Sequence, residues 1–132
     1  MLYFKKVAIV PQRLQLCGLR EVFMIIDVKN MDAAMMPNFK GGEKEMAAKM
    51  FFDGKNRVLH GTLQKGASIG YHAHETNSEI LYVLSGKGRA TIDGVEEMVE
   101  AGQVHYCPKG HSHGMVNDWE EPLVFFAVVP EQ

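Results

Sequence analysis

Residues 66–117 read GASIGYHAHETNSEILYVLSGKGRATIDGVEEMVEAGQVHYCPKGHSHGMVN, and this stretch decides the fold. It holds two clusters in which polar residues and glycines fall at fixed spacings. They are Gly66-x5-His72-x-His74-x4-Glu79-x6-Gly86 and Gly102-x5-Pro108-x-Gly110-x2-His113-x3-Asn117. Three imidazoles and one carboxylate, carried by elements that can pair as strands, are side chains typical of a divalent metal site.

The chain around these clusters is predicted to be all-β. Met46, Ala48, Met50 and Phe52 alternate with their neighbours, which favours a strand over the helix that the residue propensities also permit. Turn signals such as Asp93-Gly94 separate the short runs that follow. Many short strands with little helix indicate an antiparallel sandwich or barrel. Strands are predicted at residues 45–52, 57–64, 69–74, 79–84, 88–92, 95–100, 104–107, 113–117 and 123–129.

The spacing of the polar residues predicts that they meet. His72 and His74 lie two apart, so a strand points both imidazoles to one face. The polar stretch 75–78 suits a turn, which can return Glu79 to the two histidines. His113 arrives from a separate hairpin after the corner at residues 108–110, where proline and glycine permit a sharp bend.

Alternation along the strands also predicts a pocket wall. If Glu79 points inward, Leu81 and Val83 do too, whereas Ile80 and Tyr82 point outward. Met115 and Asn117 share the face of His113 by the same argument. An apolar pocket beside an ion suits a small substrate. The residues predicted to bind it are Leu81, Val83, Met115 and Asn117.

The other histidines, aromatic residues and cysteines are weaker candidates. His60 and His105 fit no pattern and are assigned ordinary surface or hydrogen-bonding roles, and a direct role for His111 is disfavoured. Cys107, one of two cysteines, is interpreted as a small buried hydrophobic residue. Packing is favoured over a place at the pocket rim for three aromatic residues, Tyr71, Tyr106 and Trp119.

The N-terminal part of the chain has a different character. Residues 1–23 carry a net charge of +3 and the remainder −5. We expect residues 1–40 to form an irregular arm or extension before a barrel domain at 41–132. Residues 1–23 are either an arm that packs on the barrel or a partner, or a non-native extension upstream of a start at Met24; the second is favoured. A helical turn is predicted within residues 31–38, and Gly41-Gly42 is predicted to be the joint.

Length and charge exclude several classes of protein. A chain of 132 residues suits one domain, and a net charge of −2 without a long basic run argues against nucleic acid as a main partner. No apolar run approaches the length of a membrane span, and the short apolar stretch at residues 7–10 fits a signal peptide poorly. Two cysteines form no disulfide framework, so a cytoplasmic location is expected.

Both clusters resemble the two signature motifs of the cupin superfamily, and the 15 residues between them, 87–101, resemble the short form in single-domain microbial cupins. The resemblance covers roughly residues 45–129. It implies a jelly-roll β-barrel, commonly a homodimer, in which one metal ion is held inside the barrel. The implied ligands are His72, His74, Glu79 and His113. Similar cupins include dioxygenases, decarboxylases, lyases, isomerases and non-catalytic binding modules.

The chemistry of the ligand set narrows the function only in part. Three neutral imidazoles and one carboxylate around a divalent ion leave a net positive site, which suits a chelating anion. Mn, Fe, Co or Ni would keep open positions for it, whereas Zn favours a closed site. The leading hypothesis is an enzyme that acts on a small carboxylate or enediol-like molecule by metal-assisted oxygenation, decarboxylation or isomerisation. The alternative is a non-catalytic cupin that binds or senses a small sugar or acid. A metal-free structural cupin is disfavoured.

Overall fold

The computed structural model describes residues 25–132, which form antiparallel strands and short turns. Predictions for residues 1–24, including the start at Met24, lie outside the described residues. The strands are β1 (Ala34–Pro37), β2 (Glu45–Phe52), β3 (Arg57–Leu63), β4 (Ser68–Ala73), β5 (Glu79–Ser85), β6 (Lys87–Ile92), β7 (Val95–Glu100), β8 (Val104–Cys107), β9 (Ser112–Val116) and β10 (Leu123–Val129). Two 3-10 turns occupy Val28–Asn30 and Phe39–Gly41.

The strands build two sheets whose inner faces share one core. The larger sheet has the order β1-β2-β3-β10-β5-β8, and the smaller has the order β4-β9-β6-β7. The core combines Leu59 and Phe125 of the larger sheet with Ile69, Ala90 and Met115 of the smaller. The all-β, jelly-roll fold predicted from the sequence is therefore confirmed.

Alternation of apolar and polar residues decides which face of each strand is buried. In β5, Leu81 and Val83 are buried, whereas Ile80 and Tyr82 are exposed, as predicted. In β2 the alternation predicted for 46–52 holds only as far as Met50. The prediction is wrong at the end of the strand, where Phe51 is buried and Phe52 is exposed. The Arg57 guanidinium lies 5.0 Å from the centroid of the Phe52 ring.

The helical turn predicted within residues 31–38 is wrong. Residues Ala34–Pro37 form strand β1, which pairs with β2 from Ala34↔Ala48 to Pro37↔Glu45. Met36 packs against the core from this strand. Pairing along a sheet edge and burial of an apolar side chain outweigh the local preference for a turn. The larger sheet thus begins within the segment predicted as an N-terminal arm, and the division at residue 41 stays a prediction.

The turn Phe39–Gly41 packs closely on β4. A Cβ atom on Gly70 would lie 2.1 Å from the Lys40 carbonyl oxygen, and one on Gly42 would lie 2.1 Å from the Ser68 carbonyl oxygen. Only glycine permits such an approach between two backbones. Lys40 itself has left-handed backbone angles of φ 55° and ψ 30°, which are unusual for a residue with a side chain. These contacts hold the backbone of Lys40 against β4.

Strand register sets the positions of the histidines. β4 pairs with β9 so that His72 lies directly opposite His113, after an irregularity between Ile69 and His72. The backbone pairing continues past the end of β4, where the His74 N–H donates to the His111 carbonyl oxygen at 2.9 Å. In the larger sheet, β8 pairs with β5 so that His105 lies opposite Leu81.

Neither 3-10 turn in residues 25–132 has the length or apolar character needed to cross a membrane, and this part of the chain contains no longer helix.

We predict that Gly70→Ala destabilises the fold by about 1–3 kcal/mol, because the added methyl group must displace the backbone of the Lys40 turn. Urea unfolding measures this change. Tyr71→Ala, at the exposed neighbouring position, is the control and should cost less. Equal stability of Gly70→Ala and the wild type would contradict the close backbone approach.

Candidate metal centre

Four side chains that the sequence groups as metal ligands converge at one end of the core. Their ligand atoms all lie within 4.8 Å of one another in His72, His74, Glu79 and His113. The Nε2 atom of His74 lies 3.2 Å from that of His72 and 2.9 Å from that of His113. The Glu79 Oε2 atom lies 2.8 Å from His113 Nε2 and 3.2 Å from His74 Nε2. This cluster could hold a metal ion.

Both sheets contribute to the cluster. His72 and His113 are paired neighbours on β4 and β9 of the smaller sheet, and His74 follows the end of β4. Glu79 is the first residue of β5 in the larger sheet. The segment that joins His74 to Glu79 is held at its C-terminal end because the Ser78 N–H donates to the Pro130 carbonyl oxygen. The turn therefore carries the chain from one sheet to the other and returns a carboxylate to the imidazoles.

Each of the three clustered imidazoles has a hydrogen-bonding partner close to its Nδ1 atom. His72 Nδ1 lies 2.7 Å from the Gly70 carbonyl oxygen, and His74 Nδ1 lies 2.5 Å from Asn77 Oδ1. His113 Nδ1 lies 2.9 Å from Nε2 of His105. The oxygen partners of His72 and His74 accept from Nδ1, which leaves Nε2 as the atom that can bind a metal.

His105 is therefore a correction to the sequence-based assignment, which gave it no part in the site. It is buried and hydrogen-bonded, but its bonding partner is one of the four clustered residues. The signal in the sequence was its position two residues before Cys107, because both side chains then point into the core from β8.

The carboxylate and imidazoles shift one another's proton affinities. Burial raises the pKa of Glu79, but hydrogen bonds from His113 and His74 outweigh burial and lower that pKa to about 2. The bond to Glu79 raises the pKa of His74, against the opposing effects of burial and the Lys40 charge. Burial lowers the pKa of His72. Glu79 thus stays ionised at neutral pH.

The donor set fits a divalent metal ion. When His113 and His74 donate to Glu79, their Nε2 atoms carry the protons. Once those protons are lost, three neutral imidazoles protonated on Nδ1 direct their lone pairs to the place where the Glu79 carboxylate also points. These lone pairs repel one another, and a cation among them would turn repulsion into attraction. The mixture of nitrogen and oxygen ligands suits Mn, Fe, Co, Ni or Zn, and it does not select one of them.

A cavity of about 90 Å³ opens beside the cluster. Two of its lining side chains, Lys40 and Arg57, are cationic. Glu79 is the only carboxylate among the lining residues. The lining also contains an amide and several apolar or clustered side chains: Phe39, Leu59, His72, Ala73, His74, Asn77 and Val129.

The residues predicted to bind the substrate lie elsewhere. Leu81, Val83 and Met115 are buried in the core and do not line this cavity. Asn117 donates through its amide to the carbonyl oxygens of Leu63 and Glu121 and accepts from the Trp119 N–H, so its side chain holds backbone segments together. Alternation along a strand predicts which side chains point inward, but not how far along the barrel each one lies. For this reason the predicted binding residues differ from the residues that line the cavity. Their role in binding stays a prediction, and the geometry favours the cavity residues.

Other candidates lie away from the cavity. Tyr71 and Tyr106 are exposed. Trp119 lines a separate open depression of about 550 Å³, where the Lys87 ammonium stands 5.1 Å from its ring. This depression is larger, but it contains none of the clustered residues. His111 is bonded to Asp93 at the surface, and Cys107 is buried, which raises the pKa of its thiol to about 11.

A comparison with protein families agrees with this geometry. The family model described as "Cupin domain" matches residues 59–129, more than half of the chain. The chain belongs to the cupin family. That match spans the four clustered residues and seven of the strands, from β4 to β10, together with most of β3.

Two relatives and one solved structure that are similar to this chain have names that refer to oxalate. The "Oxalate-binding protein" of Thermotoga maritima is 32% identical over 112 residues, which is 80% of this chain and 93% of that protein. An oxalate decarboxylase of Bacillus subtilis is 36% identical over 72 residues, but these are only 19% of its length. The crystal structure of a predicted oxalate decarboxylase from Thermotoga maritima superposes with a TM-score of 0.77 at 28% identity, covering 83% of this chain and all of that one.

We predict that protein purified without chelator carries a divalent metal and that Glu79→Gln weakens its binding more than about tenfold. Glutamine keeps the shape of glutamate but loses its negative charge. Loss of a metal ligand should lower metal affinity at least as much as loss of a residue that hydrogen-bonds to a metal ligand. Elemental analysis and titration with Mn²⁺ measure both effects. His111→Gln, outside the cluster, is the matched control. Wild-type metal content in Glu79→Gln would rule out the four-residue site.

Proposed function

We propose that this cupin binds a small chelating dicarboxylate, of which oxalate is the simplest, at a divalent metal held by His72, His74, Glu79 and His113. The observation that carries the proposal is a small cavity whose lining joins this metal-competent cluster to two cationic side chains, Lys40 and Arg57. A metal bound there would supply a centre of positive charge with coordination positions for carboxylate oxygens. Mn, Fe, Ni, Co and Zn are all compatible with the donor set.

Arg57 is suited to recognise the far end of a dicarboxylate. Its Nε atom is buried and makes no hydrogen bond within the described residues, and its guanidinium lies 5.0 Å from the Phe52 ring centroid. The ring limits the movement of the guanidinium, so its planar donors are already ordered. An ordered guanidinium binds a carboxylate through paired, charge-assisted hydrogen bonds.

Lys40 adds a second positive charge on another side of the cavity. Its backbone is anchored by the close contact with Gly70, and its charge is near enough to oppose protonation of His74. Two cationic side chains in addition to a metal favour a ligand with two negative charges over a neutral sugar. A volume of about 90 Å³ holds only a few water molecules, which favours a compact anion over a hexose phosphate.

Binding without turnover is the function that the geometry supports best. Decarboxylation or isomerisation needs a group that donates or accepts a proton next to the substrate. Among the residues that line the cavity, Glu79, His72 and His74 belong to the metal set, and Lys40 and Arg57 are cations suited to pair with the carboxylates of the ligand. The relative with the name "Oxalate-binding protein" matches most of this chain, whereas the oxalate decarboxylase matches it over a fifth of its own length.

We predict that oxalate binds to Mn²⁺-loaded protein and that Arg57→Gln weakens this binding about tenfold or more. The lost interaction is a charge-assisted hydrogen bond, for which about 1.5–3 kcal/mol is typical. Isothermal titration calorimetry measures the dissociation constant. Lys55→Gln, which removes an exposed cation outside the cavity, should keep wild-type affinity. Equal affinities with and without Mn²⁺ would refute the metal-dependent site.

Turnover is measured on the same samples. Loaded protein is incubated with oxalate in air, and formate, carbon dioxide and hydrogen peroxide are followed over time. No product above the metal-free control is expected. Steady release of formate would instead establish decarboxylation, one of the three reactions in the leading hypothesis of the sequence analysis.

We further propose that two copies of the chain form a homodimer through the outer face of β5 and β8. Five large hydrophobic side chains on these strands are each between 43% and 54% exposed: Ile80, Tyr82, Leu84, Val104 and Tyr106. Ile80 pairs with Tyr106, and Tyr82 pairs with Val104, so they form one continuous surface at a sheet edge. Contiguous apolar surface of this kind is typical of an interaction site, and the cupin family commonly forms homodimers.

We predict a dimer in sedimentation velocity experiments and a shift to monomer in Tyr82→Lys, because a charge at the centre of an apolar interface must be desolvated. Met98→Lys, on β7 of the smaller sheet, is the control, since Met98 is also an exposed hydrophobic residue but lies outside this surface. A monomeric wild-type protein at micromolar concentration would contradict the interface.

A further inference from the structure

His105 links the two sheets at the cluster. It lies on β8, the edge strand of the larger sheet, and points into the core with 4% of its surface exposed. His113 lies on β9 of the smaller sheet, and its Nδ1 atom is 2.9 Å from the Nε2 atom of His105. The planes of the two rings are nearly parallel, with 13° between them, and a centroid separation of 5.1 Å places the two nitrogens close to the line that joins the centroids. This is the geometry of a hydrogen bond directed along the ring plane of both imidazoles.

The hydrogen bond couples the tautomers of the two rings. One nitrogen of the pair must donate and the other must accept. When His113 carries its proton on Nδ1, it donates to His105 Nε2, and its own Nε2 lone pair points toward Glu79 and His74. When the proton order is reversed, His113 loses the lone pair that a metal requires.

We propose that His105 is a positioning residue, which fixes His113 in the tautomer and orientation that present Nε2 to the metal. This inference rests on the proposed metal-dependent function. His72 and His74 are oriented by a carbonyl and an amide oxygen, which can only accept a hydrogen bond from a ring nitrogen. His113 alone among the three is oriented by another imidazole, so its tautomer depends on that of His105.

His105 also joins parts of the barrel that the metal ligands do not join. His72, His74 and His113 all come from the smaller sheet or its extension, and Glu79 is the single clustered residue from the larger sheet. The bond from His105 adds a second link from the larger sheet, by way of the β8 edge. A change in the packing of β8 would therefore alter the direction of the His113 ring.

The test compares Mn²⁺ affinity in His105→Leu and His105→Gln. Leucine fills the buried space without an acceptor, whereas glutamine supplies an amide oxygen at similar reach. We expect His105→Leu to bind Mn²⁺ about 10–100-fold more weakly, as for other partners of metal ligands, and His105→Gln to restore most of the affinity. His60→Leu, which removes a histidine from β3 outside the cluster, should leave the affinity unchanged. Loss of affinity in Leu with recovery in Gln is not expected from packing alone.

A second measurement reads the hydrogen bond itself. The ring nitrogens of His113 are assigned by ¹⁵N NMR in protein loaded with Zn²⁺, a diamagnetic ion that the donor set also accepts. We expect a proton on Nδ1 that is protected from solvent exchange in the wild type, loss of that protection in His105→Leu and its recovery in His105→Gln. An unprotected Nδ1 proton in the wild type, or wild-type Mn²⁺ affinity in His105→Leu, overturns the proposal. If the wild type binds neither Mn²⁺ nor Zn²⁺, the proposed function fails, and the same exchange protection in metal-free protein decides whether His105 holds the His113 ring.

Discussion

The convergence of three imidazole nitrogens and one carboxylate oxygen in a buried space is the interaction on which the rest of this molecule depends. Such an arrangement is costly in a protein interior, because lone pairs and a negative charge repel one another in a low dielectric. The hydrogen-bonding partners beside Nδ1 hold each ring with its Nε2 atom directed inward instead of letting the rings turn away. The same repulsion would be relieved by a cation among these atoms, so the cluster could hold a metal ion.

Both sheets are needed to build this arrangement. The pairing of β4 with β9 brings two histidines side by side, but the carboxylate comes from β5 across the core. The cavity has a similar composite origin. Lys40 reaches it because two glycines allow a turn to lie against β4, and Arg57 reaches it from the start of β3. Charges that are distant along the chain thus surround one small volume, and that volume gives the proposed preference for a compact dianion.

Residues 66–117 contain enough information to predict most of the site. Period-two alternation gave the inward faces of β5 and β9, and the spacing of glycine, proline and histidine gave the four clustered residues. Alternation cannot tell at which height along the barrel an inward side chain lies. Leu81, Val83 and Met115 are therefore inward as predicted, yet they pack in the core below the cavity rather than along its wall. Strand β1 was missed because its pairing with β2 is not local in sequence.

The sequence by itself determined the fold class and the family, because strand periodicity and motif spacing depend only on residues that are close along the chain. It also named the four residues that could hold a metal ion. Only the tertiary structure brought Lys40, Arg57 and His105 to them. Lys40 and Arg57 lie 32 and 15 residues before His72, and no local pattern connects them to it. Their placement depends on backbone packing between turns and on register between strands, which are properties of the folded chain.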